Sequence, residues 1–325
     1  MISNLNNTLD NLLESINNKK ITPLANLTLK SYKSRLNNLI IDFNLYKNNN
    51  IDLKFFINNY DNIINYLNEK IENNASKISY LSSILFIILF FDDNKYIDNI
   101  KIKYQNKIKE LRDNINSVKN NEKNDKESEN WIDYNELKNI FDDNYNKYIN
   151  IINNKKIVKI NDFYDIQNMV IFSFYILIEP VRSHEMVSLK YKDYNKDKDN
   201  YIDIKNKKLV FNYFKTSKSK KQAIIDLKNN DKLINLIKSF ILFKNNNGFN
   251  IEYVFNSNDG TQIDNSQIVR RLNNIIGKKI SSSMIRKIYL THKYGDSLDV
   301  INNINNTAKN MMNSVNVITK NYIKK

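Results

Sequence analysis

The chain has 325 residues, of which 41% are hydrophobic, and it carries a formal net charge of +15 at pH 7. This length leaves room for two domains, each with its own core. The lack of cysteine excludes a disulfide framework, a thiol nucleophile and a cysteine-based zinc finger. The four scattered glycines exclude the phosphate-cradling glycine loop of nucleotide triphosphatases.

The first third of the chain is predicted to be helical. Its apolar residues recur at intervals of three and four, which is the spacing of a buried helix face. The two clearest series are Leu29, Tyr32, Leu36, Leu39, Ile40 and Phe43, and then Ile78, Leu81, Leu85 and Ile88. The apolar runs 84–91 and 170–178 are too short to span a bilayer and are typical of buried helices. With no signal peptide recognised, we expect a soluble protein that works inside a cell, at DNA.

The segment 117–130 marks a boundary between two domains. It contains one apolar residue among fourteen, which predicts a flexible polar linker, and order is expected to resume at Trp131. We therefore expect one domain over 1–116 and a second over 131–325. Lys and Arg counted against Asp and Glu give +2 before residue 131 and +13 from there on. This one-sided excess favours a polyanionic partner, bound with an affinity that falls as salt rises.

One helix is predicted on each side of Pro180. Residues 171–178 are largely apolar, Pro180 interrupts the helical pattern, and Arg182 is expected to open the second helix. Glu185 follows three residues later on the same helical face, where it can orient the guanidinium group. His184 points to another face. An Arg-x-x-Glu pair is most often a simple surface ion pair, so its meaning depends on the rest of the sequence.

Three short runs with strand character follow, at 201–204, 209–214 and 223–227, with a turn at Asn206. They predict a small antiparallel sheet. The expected fold class is therefore mainly α with a small antiparallel β-sheet. Lys215 comes directly after the second run, where the strand is expected to give way to a turn.

Four residues of the second domain have the chemistry that DNA strand transfer needs: Arg182, Lys215, Arg286 and Tyr322. A tyrosine hydroxyl has a pKa of about 10, and it would attack a phosphodiester that is already anionic. Arginines can hold the non-bridging phosphate oxygens and stay charged in the transition state. A lysine can act as the general acid that protonates the departing deoxyribose oxygen. Because a phosphotyrosyl bond keeps the energy of the broken bond, neither metal nor ATP is required.

The spacing of these residues resembles the tyrosine recombinase (phage integrase) family. The motifs are Arg182-x-x-Glu185-x-x-x-Leu189, Lys215-Thr216, Met284-Ile285-Arg286-Lys287 and Thr319-x-x-Tyr322. The resemblance covers roughly residues 131–325, and the segment 28–36 is similar to the opening helix of the family's core-binding domain. It implies a two-domain tyrosine recombinase architecture, with a helical core-binding domain and a mixed α/β catalytic domain.

The resemblance also implies a reaction. Tyr322 would attack a scissile phosphate to give a 3′-phosphotyrosyl link and a free 5′-hydroxyl. Arg182 and Arg286 would hold the non-bridging oxygens, Lys215 would protonate the leaving oxygen, and Glu185 would support Arg182. Family members work as tetramers on double-stranded DNA, in the recombination and integration of viral and mobile elements. The implied partners are therefore DNA and further copies of this chain, with no cofactor, metal or membrane.

Two positions depart from the family pattern. Ser283 stands three residues before Arg286, where the family usually has histidine, and Asn313 stands nine before Tyr322, where it has histidine or tryptophan. Serine and asparagine can still donate a hydrogen bond to a phosphate oxygen, so we keep both as site residues. Neither can relay a proton near neutral pH as imidazole can.

Further basic residues are candidates for contact with the DNA backbone. They are Lys30, Lys33 and Arg35 in the first domain, and Lys218, Lys220 and Lys221 in the hairpin. Any of the three hairpin lysines is also an alternative to Lys215 as the general acid. With such contacts on both domains, the chain would close as a C-shaped clamp around a duplex.

Three other functions stay open. A type IB DNA topoisomerase uses nearly the same chemistry on one duplex, without bringing two sites together. A catalytically impaired DNA-binding protein derived from a recombinase is favoured by Ser283 and Asn313. A metal-dependent transposase needs an acidic triad, for which the sequence offers no convincing setting.

Overall fold

The computed structural model describes residues 2–19, 23–48, 50–89, 91, 95–118, 122–154, 157–215, 217 and 222–319. It divides the chain into two units, Met1–Glu122 and Lys123–Lys325, and each has its own hydrophobic core. Both units are mainly helical. Among the described residues, no helix is both long and apolar enough to cross a membrane.

The first unit is a group of helices with one two-stranded hairpin. Its helices are α1 (Ile2–Asn18), α2 (Asn26–Asp42), α3 (Phe55–Asn58), α4 (Tyr60–Lys70), α5 (Asn74–Ile88) and α6 (Lys95–Val118). Strands β1 (Tyr46–Lys47) and β2 (Asn50–Ile51) pair antiparallel between α2 and α3. The two predicted helices are confirmed as α2 and α5, which pack against each other. The residues of the predicted series that are fully buried are Leu36, Leu39, Ile40, Leu81 and Ile88.

The segment around the unit boundary contains regular structure. Helix α6 extends to Val118, and a short helix, α7 (Asp125–Asn130), begins the second unit. A capping box explains this helix: Asn124 accepts a hydrogen bond from the backbone N–H of Glu127, whose carboxylate accepts one from the backbone N–H of Asn124. Part of the predicted linker is therefore helical, and the functional assignment of the two domains stays a prediction.

Helices also form most of the second unit. They are α8 (Tyr134–Asn153), α9 (Ile160–Ile176), α10 (Ser183–Val187), α11 (Asp231–Asn246), α12 (Asn265–Ile276), α13 (Ser282–Tyr294), α14 (Leu298–Asn310) and α15 (Val315–Val317), with a 3-10 turn at Gly295–Ser297. Helix α9 packs against α8, α11 and α12, and residues 166–175 are buried on all sides. This burial on all sides explains why the segment has no exposed polar face, while Gln167, Asn168 and Ser173 are buried among its apolar residues.

The sheet of the second unit has four strands in the order β3-β4-β5-β6. They are β3 (Leu189–Lys190), β4 (Asn200–Asp203), β5 (Lys208–Phe211) and β6 (Ala223–Asp226). The three predicted strands pair antiparallel, with Val210 opposite both Tyr201 and Ile224. The sheet also contains a strand that was not predicted, β3, which pairs parallel to β4. The loop 191–199 carries the chain back, so that β4 starts beside β3 in the same direction.

Candidate functional site

Arg182 and Glu185 lie at the start of α10. Arg182 is the N-cap residue, with extended backbone angles, and its Nη1 atom is 3.5 Å from Oε1 of Glu185. The two side chains differ in exposure, at 41% for Arg182 and 6% for Glu185. The buried carboxylate therefore holds the inner edge of a guanidinium group whose outer part faces solvent, where it can meet an anion.

Arg286 is attached to the loop that leads to Arg182. Its Nε atom donates a hydrogen bond to the carbonyl oxygen of Pro180, at 3.2 Å. Helix α13 presents Arg286 for this contact because Ser281 caps its first turn and Met284, Ile285 and Ile288 are buried on its other side. Pro180 is two residues from Arg182, so both arginines are fixed to one short stretch of backbone.

Glu185 also contacts the connection between β5 and β6. Its Oε1 atom accepts a long hydrogen bond, 3.5 Å, from the backbone N–H of Lys215, whose side chain is exposed. Lys215 lies four residues after the end of β5, close to its predicted place. A single carboxylate oxygen therefore contacts both the first predicted arginine and the backbone of the predicted general acid.

The buried amide of Asn200 links the same elements. Its Nδ2 atom donates to the carbonyl oxygens of Glu185, at 3.3 Å, and Tyr213, at 2.8 Å, and its Oδ1 atom accepts from the backbone N–H of Tyr213. Asn200 thus holds the beginning of β4 against α10 and the chain beyond β5. Sequence reasoning missed this residue, because one asparagine in an asparagine-rich chain gives no signal.

Three polar side chains join α10, α12 and α13 beneath the arginines. The hydroxyl of Ser183 donates to Oδ1 of Asn265 at 2.6 Å, and it lies 2.9 Å from the hydroxyl of Ser282. Because Ser183 has one proton to donate, Ser282 is the donor of the second bond. These residues were also missed, since their contacts cross 82 and 99 positions of sequence.

Tyr175 is fully buried at the end of α9, beside this group. Burial is the main cause that raises its pKa, and the charge of Glu185 raises it further, while Ser282, Arg286 and Ser183 act in the opposite direction. Its hydroxyl lies next to the two serines without making a hydrogen bond of normal geometry. In the described part of the chain, the Tyr175 hydroxyl and Oε2 of Glu185 are both buried without a hydrogen-bond partner.

Ser283 and Asn313, the two residues that differ from the family pattern, do not contact Arg182, Glu185 or Arg286 through any side-chain hydrogen bond of the described residues. Ser283 is exposed and lines a cavity of about 530 Å³ between α7 and α13, where Lys287 forms an ion pair with Glu127. This contact lowers the pKa of the Glu127 carboxyl. Asn313 lies in the turn after α14, where its Nδ2 atom donates to the carbonyl oxygen of Met311 at 3.0 Å.

The three basic residues predicted to contact DNA from the first unit differ in whether their side chains already have partners. Lys30 is exposed on α2. Lys33 forms an ion pair with Asp10 at 2.5 Å. Arg35 donates to the carbonyl oxygen and the hydroxyl of Ser31, at 3.1 and 2.8 Å. Two of the three side chains are therefore engaged within their own unit.

Several predicted site residues fall outside the described part of the chain. They are Tyr322, Lys218, Lys220 and Lys221. What the structure brings together is Arg182, Glu185, Arg286 and the backbone at Lys215. Among the described residues, no group of three or more His, Asp or Glu side chains is placed to hold a metal ion.

Comparison with known proteins gives little guidance. No family model matches the chain, and no curated protein matches it. Among solved structures, one described as the crystal structure of XerA recombinase is similar with a TM-score of 0.34 and 15% identity, over 86% of this chain and 81% of that chain. Similarity at this level does not establish a common fold.

Proposed function

We propose that this chain is a tyrosine-type DNA strand transferase, a site-specific recombinase or integrase that needs neither metal nor ATP. The observation that supports this most is the hydrogen bond from Arg286 to the carbonyl oxygen of Pro180, two residues before Arg182. This bond ties Arg286 to the loop that leads to Arg182, 104 residues away in sequence, and we expect the two arginines to hold one phosphate group there.

In the proposed reaction, the Tyr322 hydroxyl oxygen attacks the scissile phosphorus and loses its proton to water. A tyrosine–phosphate bond forms and the bond from phosphorus to the 5′ oxygen breaks. Arg182 and Arg286 stabilise the negative charge on the non-bridging oxygens, and Lys215 donates a proton to the 5′ oxygen as it leaves. A second strand's 5′-hydroxyl reverses these steps and rejoins the DNA. A type IB DNA topoisomerase would carry out the same steps on a single duplex.

Glu185 has an orienting role in this proposal. A buried carboxylate that contacts both Arg182 and the backbone at Lys215 couples the position of the phosphate clamp to that of the general acid. Such coupling matters because a misplacement of about 1 Å at a catalytic group costs on the order of a hundredfold in rate. The proposal includes a homotetramer on double-stranded DNA, with Lys30, Lys33, Arg35 and the hairpin lysines on the DNA backbone.

The test uses nicked suicide duplexes without added metal, and it measures a protein–DNA adduct that survives denaturation. We expect the wild type to form the adduct and Tyr322→Phe to form none, because the phenylalanine has no nucleophilic oxygen. Tyr294→Phe is the matched control, since Tyr294 is an exposed tyrosine of α13. Adduct formation by Tyr322→Phe would contradict the assignment of the nucleophile, and wild-type activity of Arg182→Ala and Arg286→Ala would contradict the whole site.

A second candidate function is DNA binding without strand cleavage. It is favoured by the surroundings of Ser283, which opens toward Glu127 and Lys287, and by the local hydrogen bond of Asn313 to Met311. Under this alternative, gel-shift assays would show salt-sensitive duplex binding, while suicide duplexes would trap no adduct with the wild type.

A further inference from the structure

The group beneath the two arginines contains a donor and an acceptor that are both unsatisfied. Tyr175 is completely buried, and Glu185 is 5% exposed. Neither the Tyr175 hydroxyl nor Oε2 of Glu185 has a hydrogen-bond partner in the described part of the chain. Buried polar atoms without partners are costly and rare, so two of them in one place call for an explanation.

The chemistry of the two groups is complementary. A phenol is a hydrogen-bond donor, and an ionised carboxylate oxygen is an acceptor. Burial raises the pKa of Tyr175, which keeps its proton in place across the range in which proteins are normally studied. A buried phenol with a raised pKa is a poor nucleophile, because attack requires loss of that proton and access to the phosphate.

The carboxylate of Glu185 connects this buried group to the exposed site. Its other oxygen, Oε1, lies 3.5 Å from Nη1 of Arg182 and accepts from the backbone N–H of Lys215 at 3.5 Å. Both contacts are long, so the carboxylate needs a further constraint to hold one orientation. A donor on the buried side supplies that constraint without competing for the oxygen that faces Arg182.

We propose that Tyr175 is a positioning residue of this site, which holds Glu185 through a hydrogen bond from its buried hydroxyl to Oε2. Through Glu185, it fixes the guanidinium group of Arg182 and the backbone at Lys215. The role in strand cleavage rests on the proposed function, whereas the control of Glu185 does not.

The test compares Tyr175→Phe with Tyr104→Phe, a matched substitution in the first unit. Tyr104 is equally buried, but its hydroxyl donates to the carbonyl oxygen of Phe56 at 2.8 Å. Amide hydrogen exchange is measured by mass spectrometry on peptides covering 183–188 and 208–215. We expect Tyr175→Phe to speed exchange in these peptides at least about tenfold and Tyr104→Phe to leave them unchanged.

Activity and stability complete the experiment. Tyr175→Phe is expected to slow adduct formation on suicide duplexes by at least about tenfold at a temperature where the variant is folded, because it keeps the ring but leaves Glu185 without the donor that orients it. Tyr104→Phe is expected to lower Tm and to keep the wild-type rate at a temperature where it is folded. In a Glu185→Ala background, Tyr175→Phe should have no further effect on exchange or rate.

The outcomes separate the two ideas. Unchanged exchange in Tyr175→Phe, or additive effects of the two substitutions, would overturn the positioning role whatever the activity. Faster exchange in a protein whose wild type forms no adduct would support the control of Glu185 by Tyr175 and would count against the proposed strand transfer. A fall in rate that matches a fall in Tm would assign Tyr175 a purely structural role.

Discussion

The two units bury polar side chains to very different extents. In the described part of the chain, the first unit has two buried polar residues, Asn17 and Ser83, in a core that is otherwise apolar. The second unit has eleven: Gln167, Asn168, Ser173, Ser183, Glu185, Asn200, Lys244, Asn256, Ser257, Arg271 and Ser282. Because a buried polar group must be matched by partners, this difference identifies the unit whose geometry is specified by directional contacts.

The difference has a consequence for function. An apolar core tolerates changes of shape as long as volume and pattern are kept, whereas hydrogen-bonded networks fix particular side chains in particular directions. The proposed site, in which two arginines would hold one phosphate, needs the second kind of support. In the first unit, the basic candidates Lys33 and Arg35 make contacts with exposed or partly exposed groups, Asp10 and Ser31, rather than with a buried polar network.

The largest expected effect concerns the chemistry assigned to the second unit. Arg286→Ala should slow adduct formation on suicide duplexes by at least about a hundredfold, because it removes one charged donor from the transition-state oxygens. Arg270→Ala is the control, since this exposed arginine lies on α12 in the same unit. An equal loss in both variants would indicate a general effect of positive charge on DNA binding.

The next effect concerns stability and compares two arginines. Arg271 donates to Asn168 and Asn258, at 3.2 and 2.9 Å, and joins α12 to α9, whereas Arg35 contacts Ser31 within its own helix. Arg271→Leu should lower the free energy of unfolding by about 2–4 kcal/mol, since it leaves the buried side chain of Asn168 without this partner. Arg35→Leu should cost less than about 1 kcal/mol. Urea titration measures both, and equal losses would remove the proposed contrast between the units.

A smaller, pH-dependent effect concerns Lys244. This lysine is fully buried, and its Nζ atom donates to the carbonyl oxygen of Tyr253 at 2.6 Å and to Oδ1 of Asn256 at 3.1 Å. Burial, assisted by the charge of Lys192, lowers the pKa of Lys244 to about 7. An unfolded lysine keeps its proton up to about pH 10.4. Between pH 7 and 10 the unfolded state therefore binds more protons, and stability contributed by this group rises with pH.

The slope of that rise is at most about 1.4 kcal/mol per pH unit, the value for one proton. Lys244→Met has no titrating group at this position and should flatten the dependence. Urea unfolding at pH 7, 8 and 9 measures both proteins. A wild-type curve that falls over this range would contradict the expected deprotonation of Lys244.

The smallest effect is expected at the Lys33–Asp10 ion pair of the first unit. Both side chains are partly exposed, so Lys33→Ala should change the free energy of unfolding by less than about 0.5 kcal/mol. The same variant should weaken duplex binding slightly if Lys33 leaves Asp10 for a phosphate. Binding measured at two salt concentrations tests this, with Lys107→Ala, whose ion pair with Glu110 lies on α6, as the control.

The local pattern of buried residues could be predicted from the sequence. Contacts between residues that are distant in the sequence could not. The period of three and four in α2 and the short apolar runs of β4 and β5 follow from which residues are buried, so they leave a mark on neighbouring residues. The parallel pairing of β3 leaves no such mark, because a strand of two residues has no period. The helix α7 had a local signal, Asn124 followed by Glu127, which the polar composition of the segment concealed.

The candidate site shows the same limit. Arg182, Glu185 and Arg286 were predicted because their chemistry and spacing resemble a known arrangement. Four supporting residues were not predicted, because each contributes to the site only through partners that are distant in sequence: Tyr175, Ser183, Asn200 and Ser282. Ser283 was chosen by spacing alone, and the structure puts its neighbour Ser282 against Ser183 instead.

The bond between Arg286 and the carbonyl oxygen of Pro180 also bears on how the protein can change over generations. A main-chain carbonyl is present whichever amino acid is encoded at position 180, so no codon change there deletes the acceptor. The donor, by contrast, depends on one codon, and lysine at position 286 would keep the charge while losing the Nε–H group. Inherited variation can therefore break this anchor from one side only, and selection on it acts almost entirely at residue 286.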